Sequence, residues 1–178
     1  APSPGAGGEA VSVAAGDAAA PSSPSGVLIV ALPLDPNSIN PPNAADRMAG
    51  NVINQIFDSL LEVDNVTNEL RPSLAPEWTV SEDGMEYTFK LREGVRFHDG
   101  SPFDAQDVVA TFEAGKDPVN AYASAYANVT VEVVDDYTVK LKPSTPDVTF
   151  LRSLVGYNII SAEQFAAEGN AGIEVRPI

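Results

Sequence analysis

The one histidine of the chain, His98, stands beside Asp99 and is the first candidate for acid–base chemistry. A histidine oriented by an aspartate can act as a general base when a nucleophile lies within hydrogen-bond reach. Adjacent strand residues point to opposite faces, however, and the sequence has neither a cysteine nor a G-x-S-x-G serine. The segment Arg96–Gly100 instead predicts a tight turn, in which Asp99-Gly100 supplies the positive-φ backbone. We therefore expect no catalytic residue.

Ligands for a metal ion or a phosphate group are equally scarce. One histidine and scattered acids lack the spacing of a transition-metal site. The acid pairs Glu82-Asp83 and Asp135-Asp136 fall where turns are predicted, so solvated turns explain them better than paired carboxylates. Neither a G-x-x-x-x-G-K nor a G-x-G-x-x-G phosphate loop occurs. The sequence thus predicts no metal site and no cofactor.

Aromatic residues in two polar loops are candidates for ligand contacts. Tyr122 lies in the segment Asn120–Tyr126, and Tyr157-Asn158 follows an apolar run. A loop aromatic next to an amide can hold a small solute, but half-buried loop packing explains these residues equally well.

The charge balance excludes whole classes of partner. The 178 residues carry 25 acids against 10 Lys and Arg, a formal net charge of −15. Binding to nucleic acid or to an anionic membrane surface needs clustered basic residues, so neither is expected. No apolar run approaches the roughly 18 residues that span a bilayer.

The elements that position these residues begin after a low-complexity stretch. Residues 1–26 are almost entirely Ala, Gly, Ser and Pro, which predicts a disordered tether. The apolar run Val27–Leu32 predicts a strand buried on both faces. The Pro- and Asn-rich segment Leu34–Pro42 predicts a fixed loop.

Periodicity predicts an α+β body with antiparallel hairpins and several helices. Apolar residues at helical spacing indicate an amphipathic helix over Ala44–Leu60. Alternating residues indicate two hairpins, one turning at Glu82–Gly84 and one at Asp135-Asp136. A second helix is predicted over 105–114, with Asp104 as its N-cap and Gly115 at its end. A short last helix is predicted to begin with a Ser161/Gln164 capping box and to end at Gly169.

One long motif carries a resemblance to a known family. The segment LAPEW (74–78) is followed by SEDGMEYTFKLREGVRFHDGSPFDAQDV (81–108). This ordered string resembles the peptide/nickel (oligopeptide and dipeptide) family of extracellular solute-binding proteins that feed ABC importers. Looser agreement covers about residues 27–170.

The resemblance implies a fold and a division of the chain. Members have a two-lobed, type II periplasmic-binding-protein-like fold that closes on a ligand about a hinge. By this resemblance, residues 27–178 are a partial N-terminal lobe, comprising the first strand and an inserted α+β subdomain, and the chain is an N-terminal fragment without the second lobe. We expect the isolated piece to have little affinity for a ligand.

The resemblance also implies a binding function rather than an enzymatic one. It predicts capture of a small solute, in particular a peptide, and delivery to ABC-transporter permease subunits, from an extracellular, cell-surface lipoprotein or periplasmic location. A membrane contact is expected only through a lipid anchor. The residues implied near the ligand are Asn37, Ser38, Ile39, Asn40, Tyr122, Tyr157 and Asn158.

The alternative is a solute-binding module of a regulatory or sensory protein, against which the scarcity of basic residues speaks. A secreted hydrolase with an acid pair is a further class, and it would need two converging carboxylates.

Overall fold

A computed structural model describes residues 30–44 and 47–178 of the chain. Helices and antiparallel strands are mixed along this part, which confirms the predicted α+β class. The elements in order are α1 (Arg47–Ile53), β1 (Leu61–Val63), β2 (Leu70–Pro72), β3 (Glu77–Val80), β4 (Tyr87–Lys90), α2 (Ala105–Gly115), α3 (Ala123–Ala127), β5 (Val129–Asp135), β6 (Thr138–Pro143), α4 (Phe150–Ser153) and α5 (Ala162–Val175), with short 3-10 helices at Pro41–Asn43 and Leu154–Gly156. None of the described helices is both long and apolar enough to cross a membrane.

The larger sheet joins both predicted hairpins in the order β3-β4-β6-β5, with every pair antiparallel. Phe89 of β4 lies opposite Trp78 on one side and Val139 on the other. Because alternate residues of a strand face opposite sides, Tyr87, Phe89, Val139 and Leu141 all point inward and are buried. The predicted hairpins are therefore confirmed. β1 and β2 form a separate antiparallel pair.

Helix α2 is the central helix of the main core. Its N-cap is Asp104, whose side chain accepts a hydrogen bond from Gln106 N, as the sequence predicted. Val108 and Phe112 on its inner face are buried in the same apolar cluster as Phe89 and Leu141. A second cluster joins the end of α2 to α1 and α5 through Ala114, Ile53 and Ile173. α2 therefore holds the sheet on one side and the two outer helices on the other.

The helix predicted over Ala44–Leu60 is shorter than expected. Residues 45 and 46 lie outside the described part, and α1 ends at Ile53. There some backbone N–H groups donate to the carbonyl three positions earlier instead of four, as from Ile56 N to Ile53 O at 2.9 Å. The chain then turns toward β1. Phe57 and Leu60 are still buried, but by the turn and not by a continuing helix. The apolar spacing alone could not locate this end, since it persists through the turn.

The strand predicted at Val27–Leu32 is not found where the chain is described. Its first three residues, like the predicted tether at 1–26, lie outside the described residues. Val30–Leu32 have no regular secondary structure, and Val30 is 67% exposed. A strand buried on both faces needs neighbouring strands, and the two sheets of the described residues are built from later parts of the chain.

The first helical segment of α5 begins after Ser161 and ends at Gly169, both as predicted. Ser161 Oγ accepts from Gln164 N, whereas the Gln164 side chain donates to Gly172 O and Arg176 O and so does not complete a capping box. Gly169 has φ 63° and ψ −164°, which interrupts the helix. A second helical segment follows this kink and runs to Val175.

Candidate functional site

His98 and Asp99 do not form a catalytic pair. His98 Nε2 lies 3.0 Å from the carbonyl oxygen of Ile56. The Asp99 carboxylate accepts from Ser101 N at 2.9 Å and from Ser101 Oγ at 2.7 Å, and these bonds lower the pKa of Asp99. Gly100 has φ 91°, so the segment is the tight turn predicted from the sequence.

The predicted ligand loop at 37–40 is bonded to the far end of α5. Ser38 Oγ, Ile39 N and Asn40 N all donate to the Glu174 carboxylate, the two backbone groups at 3.2 and 3.3 Å. Ser38 and Asn40 are buried, Ile39 is half-buried and Asn37 is exposed. Asn37 and Ile39 therefore present the more accessible faces of this loop.

Tyr122 stands on the surface. Its side chain is 54% exposed, and its backbone N donates to Asn120 Oδ1 at 2.9 Å. Asn120 Nδ2 in turn donates to the carbonyl of Gly115 at 2.7 Å, at the end of α2. The phenol ring is thus presented to solvent by a loop that the main chain of α2 holds.

Tyr157 and Asn158 are more deeply placed. The Tyr157 ring stacks on Phe112 at a centroid distance of 5.3 Å and meets Tyr126 edge-on at 4.5 Å. Burial raises the pKa of both Tyr126 and Tyr157. Asn158 Nδ2 donates to Phe57 O and Asn54 Oδ1, each at 3.3 Å. These contacts are the loop packing that the sequence offered as the alternative, while a ligand contact stays a prediction.

The three groups of predicted ligand residues, 37–40, Tyr122 and Tyr157-Asn158, are arranged around α2. Asn170 accepts two hydrogen bonds from Asn40 Nδ2 of the 37–40 loop. It also donates to Ala114 O, at the end of α2, and to Asp117 Oδ2 just beyond it. The Tyr122 loop is bonded to the same end through Gly115. Tyr157 lies against Phe112, about one turn earlier. The 37–40 loop and the Tyr122 loop are therefore both attached to the end of α2, and Tyr157 packs beside it.

A cavity that the sequence did not predict opens near His98. It has a volume of about 260 Å³, with buried apolar groups such as Phe57 and Phe103 in its wall and Asp58, Arg96 and His98 among its polar groups. The lining comes from segments spread between Asn54 and Ile178. Because these lining residues are far apart in the sequence, no local sequence pattern could predict the cavity.

Asp107 lies in the first turn of α2, and its side chain also contacts a second helix. The carboxylate is 4% exposed and accepts from the backbone N of Asp104 at 2.8 Å and of Ala162 at 2.7 Å. Burial raises the pKa of Asp107 to about 6. The group joins the N-terminal ends of α2 and α5.

Cation ligands are not clustered in the described part of the chain. No group of three or more His, Cys, Asp or Glu residues there could hold a metal ion. The predicted acid pairs lie at the hairpin turns, where Asp83 accepts from Ser81 Oγ and Asp135 from Tyr137 N. These carboxylates stabilise the turns.

Curated relatives are similar to this chain in sequence. A heme-binding protein A from Haemophilus influenzae is 34% identical over 127 residues, which cover 60% of this chain and 23% of that protein. A glutathione-binding protein, GsiB, from Shigella boydii is 34% identical over 131 residues, covering 72% of this chain and 25% of its own length. The chain therefore spans about a quarter of the length of these curated relatives.

A solved structure shows the same architecture. The ABC transporter-associated periplasmic binding protein DppA from Helicobacter pylori, in complex with the peptide STSA, superposes with a TM-score of 0.68 at 27% identity. The match covers 79% of this chain and 32% of that one. The described α+β body is thus part of a periplasmic-binding-protein fold of type II.

The family itself is shown by a match that covers more than half of the chain. Residues 69–177, from β2 to beyond α5, match the family described as bacterial extracellular solute-binding proteins, family 5 Middle. This range includes the motif of residues 74–108 on which the resemblance rested. The chain belongs to family 5 of the bacterial extracellular solute-binding proteins.

Proposed function

We propose that the chain is part of a protein that captures peptides or similar small solutes outside the cytoplasm and delivers them to the permease subunits of an ABC importer. The observation that carries this proposal is the family match over residues 69–177. The relatives named above are a heme-binding, a glutathione-binding and a peptide-bound protein. Glutathione is itself a small peptide, which favours a peptide-like solute.

The arrangement around α2 supports binding without catalysis. His98 is hydrogen-bonded to a backbone carbonyl, and Asp99 is engaged by Ser101. The ligand contacts that we propose are the accessible faces of the 37–40 loop, the exposed ring of Tyr122 and the Tyr157-Asn158 segment. They offer hydrogen bonds and an aromatic surface, which suits recognition of a neutral or zwitterionic solute.

The location that we propose is extracellular, either as a cell-surface lipoprotein or in the periplasm. Membership of an extracellular family supports it. Fractionation of cells with and without an inhibitor of lipoprotein signal peptidase distinguishes the two locations. A cytoplasmic protein in both conditions contradicts the proposal.

Uptake by intact cells tests the function. Deleting the gene that encodes the chain should lower the uptake of at least one labelled solute among short peptides, glutathione and heme, and the restored gene should return uptake to the wild-type rate. Uptake of an unrelated sugar serves as the control for membrane energy. Unchanged uptake of all three solutes after deletion would falsify the transport function.

A further inference from the structure

The second segment of α5 is turned toward the 37–40 loop by a kink at Gly169. The backbone of Gly169, at φ 63° and ψ −164°, has a conformation that side-chain-bearing residues rarely adopt. Beyond the kink, Asn170 and Glu174 are four positions apart. Residues at this spacing lie on the same face of a helix. The kink therefore directs one polar face of α5 to the loop.

Glu174 collects three donors from consecutive loop residues. The Ser38 hydroxyl and the backbone N–H groups of Ile39 and Asn40 all point at its carboxylate. Hydrogen bonds to an ionised acceptor are roughly twice as strong as those between neutral groups. The N–H of Asn40 is shared with Ser38 Oγ at 3.1 Å. Glu174 thus orients the N–H of Ile39 by itself and that of Asn40 together with Ser38.

Asn170 adds a second attachment and links it to α2. Asn40 Nδ2 donates to the carbonyl oxygen of Asn170 at 3.1 Å and to its side-chain oxygen at 3.2 Å. Asn170 Nδ2 donates to Ala114 O at 3.3 Å and to Asp117 Oδ2 at 3.1 Å. The loop, α5 and the end of α2 are therefore joined through one asparagine.

Burial separates the residues that shape the loop from those that can meet a solute. Asn40 is fully buried and Ser38 is 8% exposed, and the hydroxyl of Ser38 and the side-chain NH₂ of Asn40 are both bonded to α5. We propose that Glu174 is a positioning residue: together with Asn170 it sets the conformation of the 37–40 loop, and through it the affinity for solute, without touching the solute. The part concerning solute rests on the proposed function.

Amide exchange in the isotopically labelled 178-residue chain tests the loop contact directly. In Glu174→Gln the amide of Ile39 should exchange about tenfold faster, because a charge-assisted bond becomes a neutral one. The amide of Asn40 should change less, since it also donates to Ser38 Oγ at 3.1 Å. Glu168→Gln removes the same charge from the same helix, at a side chain paired with Arg176, and should leave both amides unchanged. Equal exchange rates in wild type and Glu174→Gln would overturn the proposal.

The wild-type chain offers a second measurement that needs no substitution. The amide nitrogens of Ile39 and Asn40 should show scalar couplings across their hydrogen bonds to the side-chain carboxyl carbon of Glu174. Couplings of these amides to another carboxylate, such as Asp117, contradict the contact. This measurement decides the matter even where Glu174→Gln fails to fold.

An uptake assay tests the effect on solute affinity, with the solute whose uptake the gene deletion lowers. Restoring the gene as Glu174→Gln should raise the solute concentration needed for half-maximal uptake about tenfold, while the maximal rate and the amount of protein stay at the wild-type level. Glu168→Gln should behave as wild type. A deletion without any uptake defect defeats the proposed function alone, whereas normal uptake with Glu174→Gln defeats the positioning role alone.

Discussion

The carboxylate of Asp107 accepts a hydrogen bond of 2.7 Å from the backbone N–H of Ala162, 55 positions later in the sequence. Its other oxygen accepts from Asp104 N, the N-cap position of its own helix. The first N–H groups of a helix have no partner within the helix, so a single buried side chain satisfies groups at the start of both α2 and α5. This contact fixes the direction in which α5 leaves the core.

Stability should depend on pH through Asp107. Its pKa is raised from 3.8 to about 6 by burial, so between these values the folded chain binds more protons than the unfolded chain. The stability from the protonated group is therefore complete below about pH 4 and is lost as the pH rises through 6. Relative to Asp107→Asn, which does not titrate, the free energy of unfolding of the wild type should fall by about 3 kcal/mol from pH 3.5 to pH 7.

Urea unfolding of both proteins across this range measures the effect. The difference curve removes the titration of the distant acids that the two proteins share. Parallel curves for wild type and Asp107→Asn would show that burial leaves the titration of Asp107 unaltered.

Replacing Thr111 by valine should destabilise the chain by about 1 to 3 kcal/mol. Thr111 Oγ1 donates to Asp107 O at 2.8 Å and accepts from Ile160 N at 3.0 Å, and the residue is fully buried. Valine keeps the shape but leaves the Ile160 N–H buried without an acceptor. Thr130→Val, on the exposed face of β5, is the matched control and should change the unfolding free energy by less than about 0.5 kcal/mol. Equal effects of the two substitutions in urea unfolding contradict this expectation.

Gly115→Ala should be destabilising although it lies in a helix. A Cβ atom there would lie 2.1 Å from Cδ1 of Tyr126, which packs against Phe112 and Tyr157. Overpacking costs about 1 to 3 kcal/mol, whereas the gain in helix propensity is at most about 1 kcal/mol. Gly50→Ala in α1 meets no atom within 4 Å and should be neutral or stabilising. Near-UV circular dichroism should report the displaced tyrosine in Gly115→Ala alone.

Tyr122 and Tyr157 should separate binding from packing. Tyr157→Ala removes a ring that stacks on Phe112, and we expect a loss of about 2 kcal/mol or more in the free energy of unfolding. Tyr122→Ala removes a ring that is 54% exposed and should change stability by less than about 0.5 kcal/mol. If Tyr122 contacts the solute, its removal should still weaken uptake at low solute concentration. Wild-type uptake by Tyr122→Ala would remove this residue from the proposed site.

Local pattern predicted much of the fold. The alternation around Phe89 and Val139 and the turns at Glu82–Gly84 and Asp135-Asp136 fixed the two hairpins, because a strand with one buried face needs a period of two. Asp104 and Ser161 marked the starts of two helices, since an oxygen at the N-cap satisfies a free N–H group. The motif of residues 74–108 indicates the family without reference to any tertiary contact.

Contacts between distant segments were beyond the sequence. The helical spacing around Ile53 and Phe57 continues through a turn, so it could not show where α1 ends. The sequence pattern also could not show that Glu174 accepts from Ser38, that Asp107 accepts from the first N–H of α5, or that Asn170 donates to Ala114. The period of an element records which face is buried, but the partner of a polar group depends on where the folded chain brings distant residues together, and that is decided only by tertiary packing.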